Sequence, residues 1–185
     1  MLAGLAVGRL RGGRLVNLTH LAPRWMPLLV LAVAAVTAAR IAVVPAALAG
    51  TLVTAGYLLA LVGLIANLRL PWLWLALAGV ALNAVVIAAN AGRMPVSPRV
   101  IREVSRSLVI GGTTGPLYVL AGPRTALAPL GDALPVVAGG VGVILSPGDV
   151  LLALGIAATL QAGMLAEPVP PDGGALPPGN GDRPG

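Results

Sequence analysis

Residues 71–90 read PWLWLALAGVALNAVVIAAN, twenty residues without a charge. Wound as an α-helix, this stretch measures about 30 Å, the thickness of the hydrocarbon core of a bilayer. A helix on a soluble protein carries an apolar stripe and a charged face. Here the only interruptions are Gly79, Asn83, the closing Asn90 and the entering proline, so lipid is the solvent that suits it. Three other segments read the same way. Residues 25–43 form a span with Arg40 placed to snorkel toward an interface. A tight apolar turn at Pro45 and Gly50 leads into residues 51–67, and residues 147–165 make the last span. Residues 1–8 are apolar, but eight residues reach only about 12 Å. Without a basic n-region or cleavage site they are not a signal peptide. They are either a half-span packed on the others or the end of a longer start.

Composition agrees. Hydrophobic residues make up 57 % of the 185 and charged residues 10 %, with a mean hydropathy of +0.94. A soluble domain carries roughly 25 % charged residues. Cysteine is absent, which excludes disulfides and thiolate chemistry, and His20 is the sole histidine. Zinc sites and Ser-His-Asp triads therefore have almost nothing to draw on, and no cofactor is expected. Every basic residue is an arginine. The net charge of +6 is scattered between apolar spans and forms no basic stripe, so nucleic acid is not an expected partner. The arginines read as topology markers and lipid-headgroup contacts.

Between the third and last spans, Ser97-Pro98 reads as an N-cap followed by proline at the first helical position. Val100, Ile101, Val104 and Leu108 share one helical face, and Arg99, Arg102, Glu103 and Arg106 the other. That is the pattern of an interfacial amphipathic helix. Residues 111–145 are glycine- and proline-rich yet apolar, as a loop folded back on the bundle would be. Residues 167–185 hold eleven prolines and glycines and read as a disordered tail after a membrane domain of residues 1–166. The expected fold is all-α: a transmembrane bundle of four to five helices, an amphipathic helix and a folded Gly/Pro-rich loop, in a cell membrane. Counting residues 1–8 as a span divides the arginines six and six across the membrane. The four arginines among residues 9–24 assign their side, which Trp25, Trp72 and Trp74 share, to the cytoplasm.

The polar positions inside this apolar frame are the candidate site. Gly56, Ala60, Gly63 and Asn67 line one face of the second span, and Gly79, Asn83, Val86 and Asn90 one face of the third. Small residues let backbones approach and amides seek partners across the contact, so the two spans are expected to pack as a hairpin on these faces. Asn83 and Gln161 read first as interhelical hydrogen-bonding groups and second as ligand contacts. Asn90 reads as a C-cap, Gly92 as a left-handed turn, and Arg93 as a charge at the negative helix end or an anion contact. Ser146-Pro-Gly-Asp149 makes a capping box with aspartate in place of glutamate. Asp132, an acid in an apolar loop, wants a partner: Arg93 or Arg124 as an ion pair, or a hard cation shared with Asp149. Asn83, Asn90, Arg93, Asp132 and Asp149 are thus expected to cluster at one membrane face, with Arg93 facing a carboxylate.

The segments RLRGGRLVNL (9–18), NAVVIAANAGRMPVS (83–97), LGDALP (130–135) and SPGDVLLALGIAATLQ (146–161) resemble, in this order, a family of small bacterial multi-pass membrane proteins of unknown function. The resemblance runs nearly to residue 165. Members usually show NGGRMP, where this chain has Ala91 for the first glycine. The resemblance implies an architecture and no activity. Two functions follow from the residues. One is a non-enzymatic protein that packs with membrane partners or copies of itself. The other is a small transporter, channel subunit or membrane enzyme built on the five polar residues. The small-residue faces and the capping roles favour the first.

Overall fold

The computed structural model describes residues 2–39, 44–104, 108–110 and 117–166. Residues 167–185, Arg40 and Arg106 lie outside them, so the expectations for the tail and for those arginines do too. The long apolar stretches are helical because little in them competes with the helix: their one charge is the capping acid Asp149, and prolines stand at their entrances. The helices are α1 (Leu2–Leu10), α2 (Met26–Ala39), α3 (Ala46–Ile65), α4 (Leu73–Ala89), α5 (Pro98–Val104) and α6 (Pro147–Leu165). Helix α3 starts directly after Pro45, so Gly50 lies inside a helix and not in the expected turn. Gly50 costs the helix only about 1 kcal/mol relative to alanine, and the alanines and leucine before it favour helix, so the helix starts ahead of it.

By length and composition, α3 over Leu48–Ile65 and α6 can cross a bilayer. A third span results if the 3-10 turn Leu15–Leu21 and α2, bent 102° apart, count as one. Helix α4 is apolar but has 17 residues.

The helices pack side by side in the order α1, α6, α4, α3, α2. The small-residue faces are used, but with partners other than those expected. Gly56 and Gly63 of α3 lie against Ala32, Val36 and Leu29 of α2, not against α4. Gly79 of α4 meets the Gly148 carbonyl of α6 so closely that any β-carbon there would overlap it. The expectation of an α3–α4 interface on these faces is therefore corrected. Each glycine row finds the neighbour that supplies a matching surface, and α6 brings its own row of Gly148, Gly155 and Gly163. Helix α1 runs parallel to the second half of α6, with Gly4 against Ala157 and Gly8 against Met164. Gln161 lies beside that contact.

At one end of the bundle, Asn67 is fully buried and donates to the carbonyls of Arg24 and Gly63 at 2.6 and 2.7 Å, while the Arg24 N–H donates back at 2.6 Å. Asn17 donates to the Met164 and Ala166 carbonyls, capping α6. Trp25, Trp72 and Trp74 are all exposed at this end.

The other end is not all-α. β1 (Met94–Val96) pairs in parallel with β3 (Tyr118–Leu120). β2 (Leu108–Ile110), β5 (Val141–Leu145) and β4 (Leu134–Ala138) form a second small sheet in that order. β4 and β5 are joined by Gly139-Gly140, both at positive φ, a two-residue hairpin turn. The glycine- and proline-rich segment cannot wind into helix, and its backbone groups must still be paired when laid against an apolar bundle. Short strands meet that need. Helix α5 buries Val100 and Val104 and exposes Arg99 and Glu103, which pair at 2.8 Å. Its described residues end at Val104, and Leu108 belongs to β2 instead of the expected amphipathic face. Helix makes up 63 % of the described residues.

Candidate functional site

The start of α6 is built as a complete capping box. The Ser146 hydroxyl accepts from the Asp149 N–H at 3.0 Å, and Asp149 Oδ2 accepts from the Ser146 N–H at 2.9 Å. Asn83 of α4 locks onto this box from the side. Its Nδ2 donates to Asp149 Oδ1 at 2.9 Å, and its Oδ1 accepts from the Ser146 hydroxyl at 2.9 Å. Ser146 and Asn83 are buried. Gly148 makes this closeness possible, since a β-carbon there would overlap the Asn83 amide. An ionised carboxylate offers about four lone-pair positions. The two bonds made by Asp149 leave about two more.

The backbone of Asp132 is held on both sides. Its N–H donates to the Pro95 carbonyl at 2.8 Å, and its carbonyl accepts from the Ser97 N–H at 3.0 Å. It thereby extends β1 on the side opposite β3, with a bridge to Val96. Gly131 lies against the Pro95 carbonyl, where a side chain would not fit.

These elements enclose a partly open cavity of about 320 Å³. Asn83, Asp132 and Asp149 line it, as do Tyr57 of α3 and Tyr118 of β3. Those are the two tyrosines of the chain. The sequence reading passed over both. Their signal was a phenolic hydroxyl in a chain without phenylalanine, one of them in the middle of an apolar span. The remaining candidates stand elsewhere. Asn90 donates to the Val86 and Ala126 carbonyls and accepts from the Ala126 N–H at 3.1 Å, tying the 121–127 loop to the end of α4. Arg93 is exposed and is not among the lining residues. Among the described residues it forms no ion pair with Asp132 or Asp149. The turn after α4, left-handed at Ala91 and Gly92, carries it outward. Nor do three Asp, Glu or His side chains among the described residues gather to hold a metal.

A family of unknown function, DUF5317, matches residues 16–161. The chain belongs to DUF5317. Neither a curated protein nor a solved structure matches it. The stretch shared with DUF5317 contains all the residues of the cavity and both faces of the α4–α6 contact.

The turn at Ala91 gives a first prediction. At φ 53° this alanine occupies a conformation that costs roughly 1–2 kcal/mol for a residue with a β-carbon. Ala91→Gly relieves that cost, while glycine's greater freedom in the unfolded chain takes back part of it. A net gain of about 0.5–1 kcal/mol is expected, raising the thermal midpoint in detergent by about 2–4 °C. An unchanged or lower midpoint would show that residue 91 carries no strain.

Proposed function

We propose that this DUF5317 chain is a multi-pass integral membrane protein, threaded by α2, α3, α4 and α6, that binds a small polar ligand in the cavity at one membrane face. The convergence of Asp132, Asp149, Asn83, Tyr57 and Tyr118 on that cavity carries the reading. Such a constellation matches what binding sites use, a concave space with a few converging polar groups. Lipid-facing surfaces support the membrane part. Val33 of α2 is 68 % exposed, Val62 of α3 55 %, Val85 of α4 56 % and Leu154 of α6 55 %. Apolar side chains exposed on four successive helices are what a bilayer, and not water, would cover. Packing with partner helices loses its main support, because the small-residue faces are filled by contacts inside the chain. Binding is favoured over catalysis because the Ser146 hydroxyl is committed to Asn83 and the sole histidine, His20, sits in the 3-10 turn at the opposite end.

The absence of cysteine makes this testable. The protein is expected to stay in the membrane pellet after high-salt and alkaline washing. Val143→Cys, lining the cavity, should react with a membrane-impermeant thiol reagent from one side. Val16→Cys, exposed in the 3-10 turn, should react from the other side, the cytoplasmic one. Release by the wash, or labelling of both from the same side, would overturn the proposal.

A further inference from the structure

The polar cavity has an apolar neighbour. A second space of about 420 Å³ runs between the α2–α3 and α4–α6 pairs. Val36, Tyr57 and Asp149 line both, so the two spaces adjoin at these three side chains. Away from that junction the second space is walled by apolar side chains of helices, including Leu29, Ala60, Leu152 and Ile156. Its rim residue Val33 is largely exposed, which opens the groove toward the lipid side of the bundle. An acid- and phenol-lined space near the membrane face thus lies next to an apolar space along the helices.

From this we infer that the ligand is an amphiphile: a single-chain lipid with an amine head, the head against Asp149 and Asp132 and the tail between the helix pairs. The inference rests on the proposed binding site and names the class of molecule it takes. Charge decides the head. Two carboxylates line the polar end, and among the described residues no arginine lines either space. A phosphate or carboxylate head would meet like charge, whereas an ammonium can use the lone pairs of Asp149 left by Asn83 and Ser146. The adjoining apolar space decides the tail. A small polar molecule would fill the first space and leave an apolar groove that opens from the same carboxylate.

The test uses the full chain in phosphatidylcholine nanodiscs and three probes: dodecylamine, butylamine and dodecanoate. Binding is read as saturable calorimetric heat above that of empty discs. Dodecylamine is expected to bind, butylamine at least about a hundredfold more weakly for lack of the buried tail, and dodecanoate not at all. Asp149→Asn and Asp132→Asn should each weaken dodecylamine at least tenfold. Ala60→Leu, which fills the groove, should weaken dodecylamine and leave butylamine unchanged; thermal midpoints of the three variants verify folding. Equal binding of butylamine and dodecylamine, both lost in Asp149→Asn, would overturn the amphiphile while keeping the polar site. Tighter binding of dodecanoate would overturn the amine head. Heats that neither aspartate variant changes would overturn the amphiphile and the polar site together.

Discussion

Gly148→Ala is expected to destabilise the folded protein by about 2–3 kcal/mol, as overpacking of a filled interior does. The added methyl group would overlap the Asn83 amide and stand 2.7 Å from the Gly79 carbonyl oxygen. The amide can turn, but only by giving up its bonds to Ser146 and Asp149. The carbonyl is backbone and moves only if α4 and α6 separate. The same substitution at Gly50, whose β-carbon position is open, should be neutral or gain up to about 1 kcal/mol of helix propensity. The two alanine variants are compared by thermal midpoint in one detergent. A fall of about 5–10 °C for Gly148→Ala beside no fall for Gly50→Ala is the expected pattern. Equal midpoints would show that α4 and α6 are not in close contact.

Asn67→Ala should cost about 2–4 kcal/mol. Its side chain makes three hydrogen bonds of 2.6–2.7 Å and is fully buried. Truncation leaves both backbone groups of Arg24 and the Gly63 carbonyl without that partner, at a cost of about 1–3 kcal/mol for each group left buried and unsatisfied. Asn90→Ala removes as many bonds, but those to Ala126 are exposed and water can replace them. The midpoint should therefore fall further for Asn67→Ala than for Asn90→Ala. The reverse order would mean that the α2 entrance is not held by this amide.

Much of the frame was legible because long uncharged apolar runs permit so few solutions. A run such as residues 147–165 has no charge beyond its capping acid, and the helix observed there has the expected bounds, Pro147–Leu165. The capping box could be read because its logic is local: serine, proline and an acid at fixed offsets. The partners of the small-residue faces could not be read. A row of glycines announces close approach without naming the neighbour, and connectivity favoured α4 for α3 although α2 fits better. The strands were missed because they are three to five residues long, and glycine and proline within 111–145 read equally well as loop. At the cavity, Asp132 and Asp149 drew attention as charges in an apolar setting. Tyr57 did not, since a tyrosine in a span passes for an aromatic at an interface. Arg93 was assigned inward on charge complementarity alone, and the left-handed turn before it points it out to solvent.

The cap on α6 has a consequence for how the chain is made. Asn17 and the Met164 carbonyl it holds are 147 positions apart, and α6 lies between α1 and α4. Contacts of such long range close late, because the loop entropy must be lost before any gain. During synthesis α1 to α4 emerge first, and Gly79 and Asn83 then line an unfilled seam. That seam receives its partner only when α6 enters, bringing Ser146 and Asp149 with it. The ligand space is therefore a product of the final docking step: a chain truncated before residue 146 would hold most of the helices and no cavity of this kind.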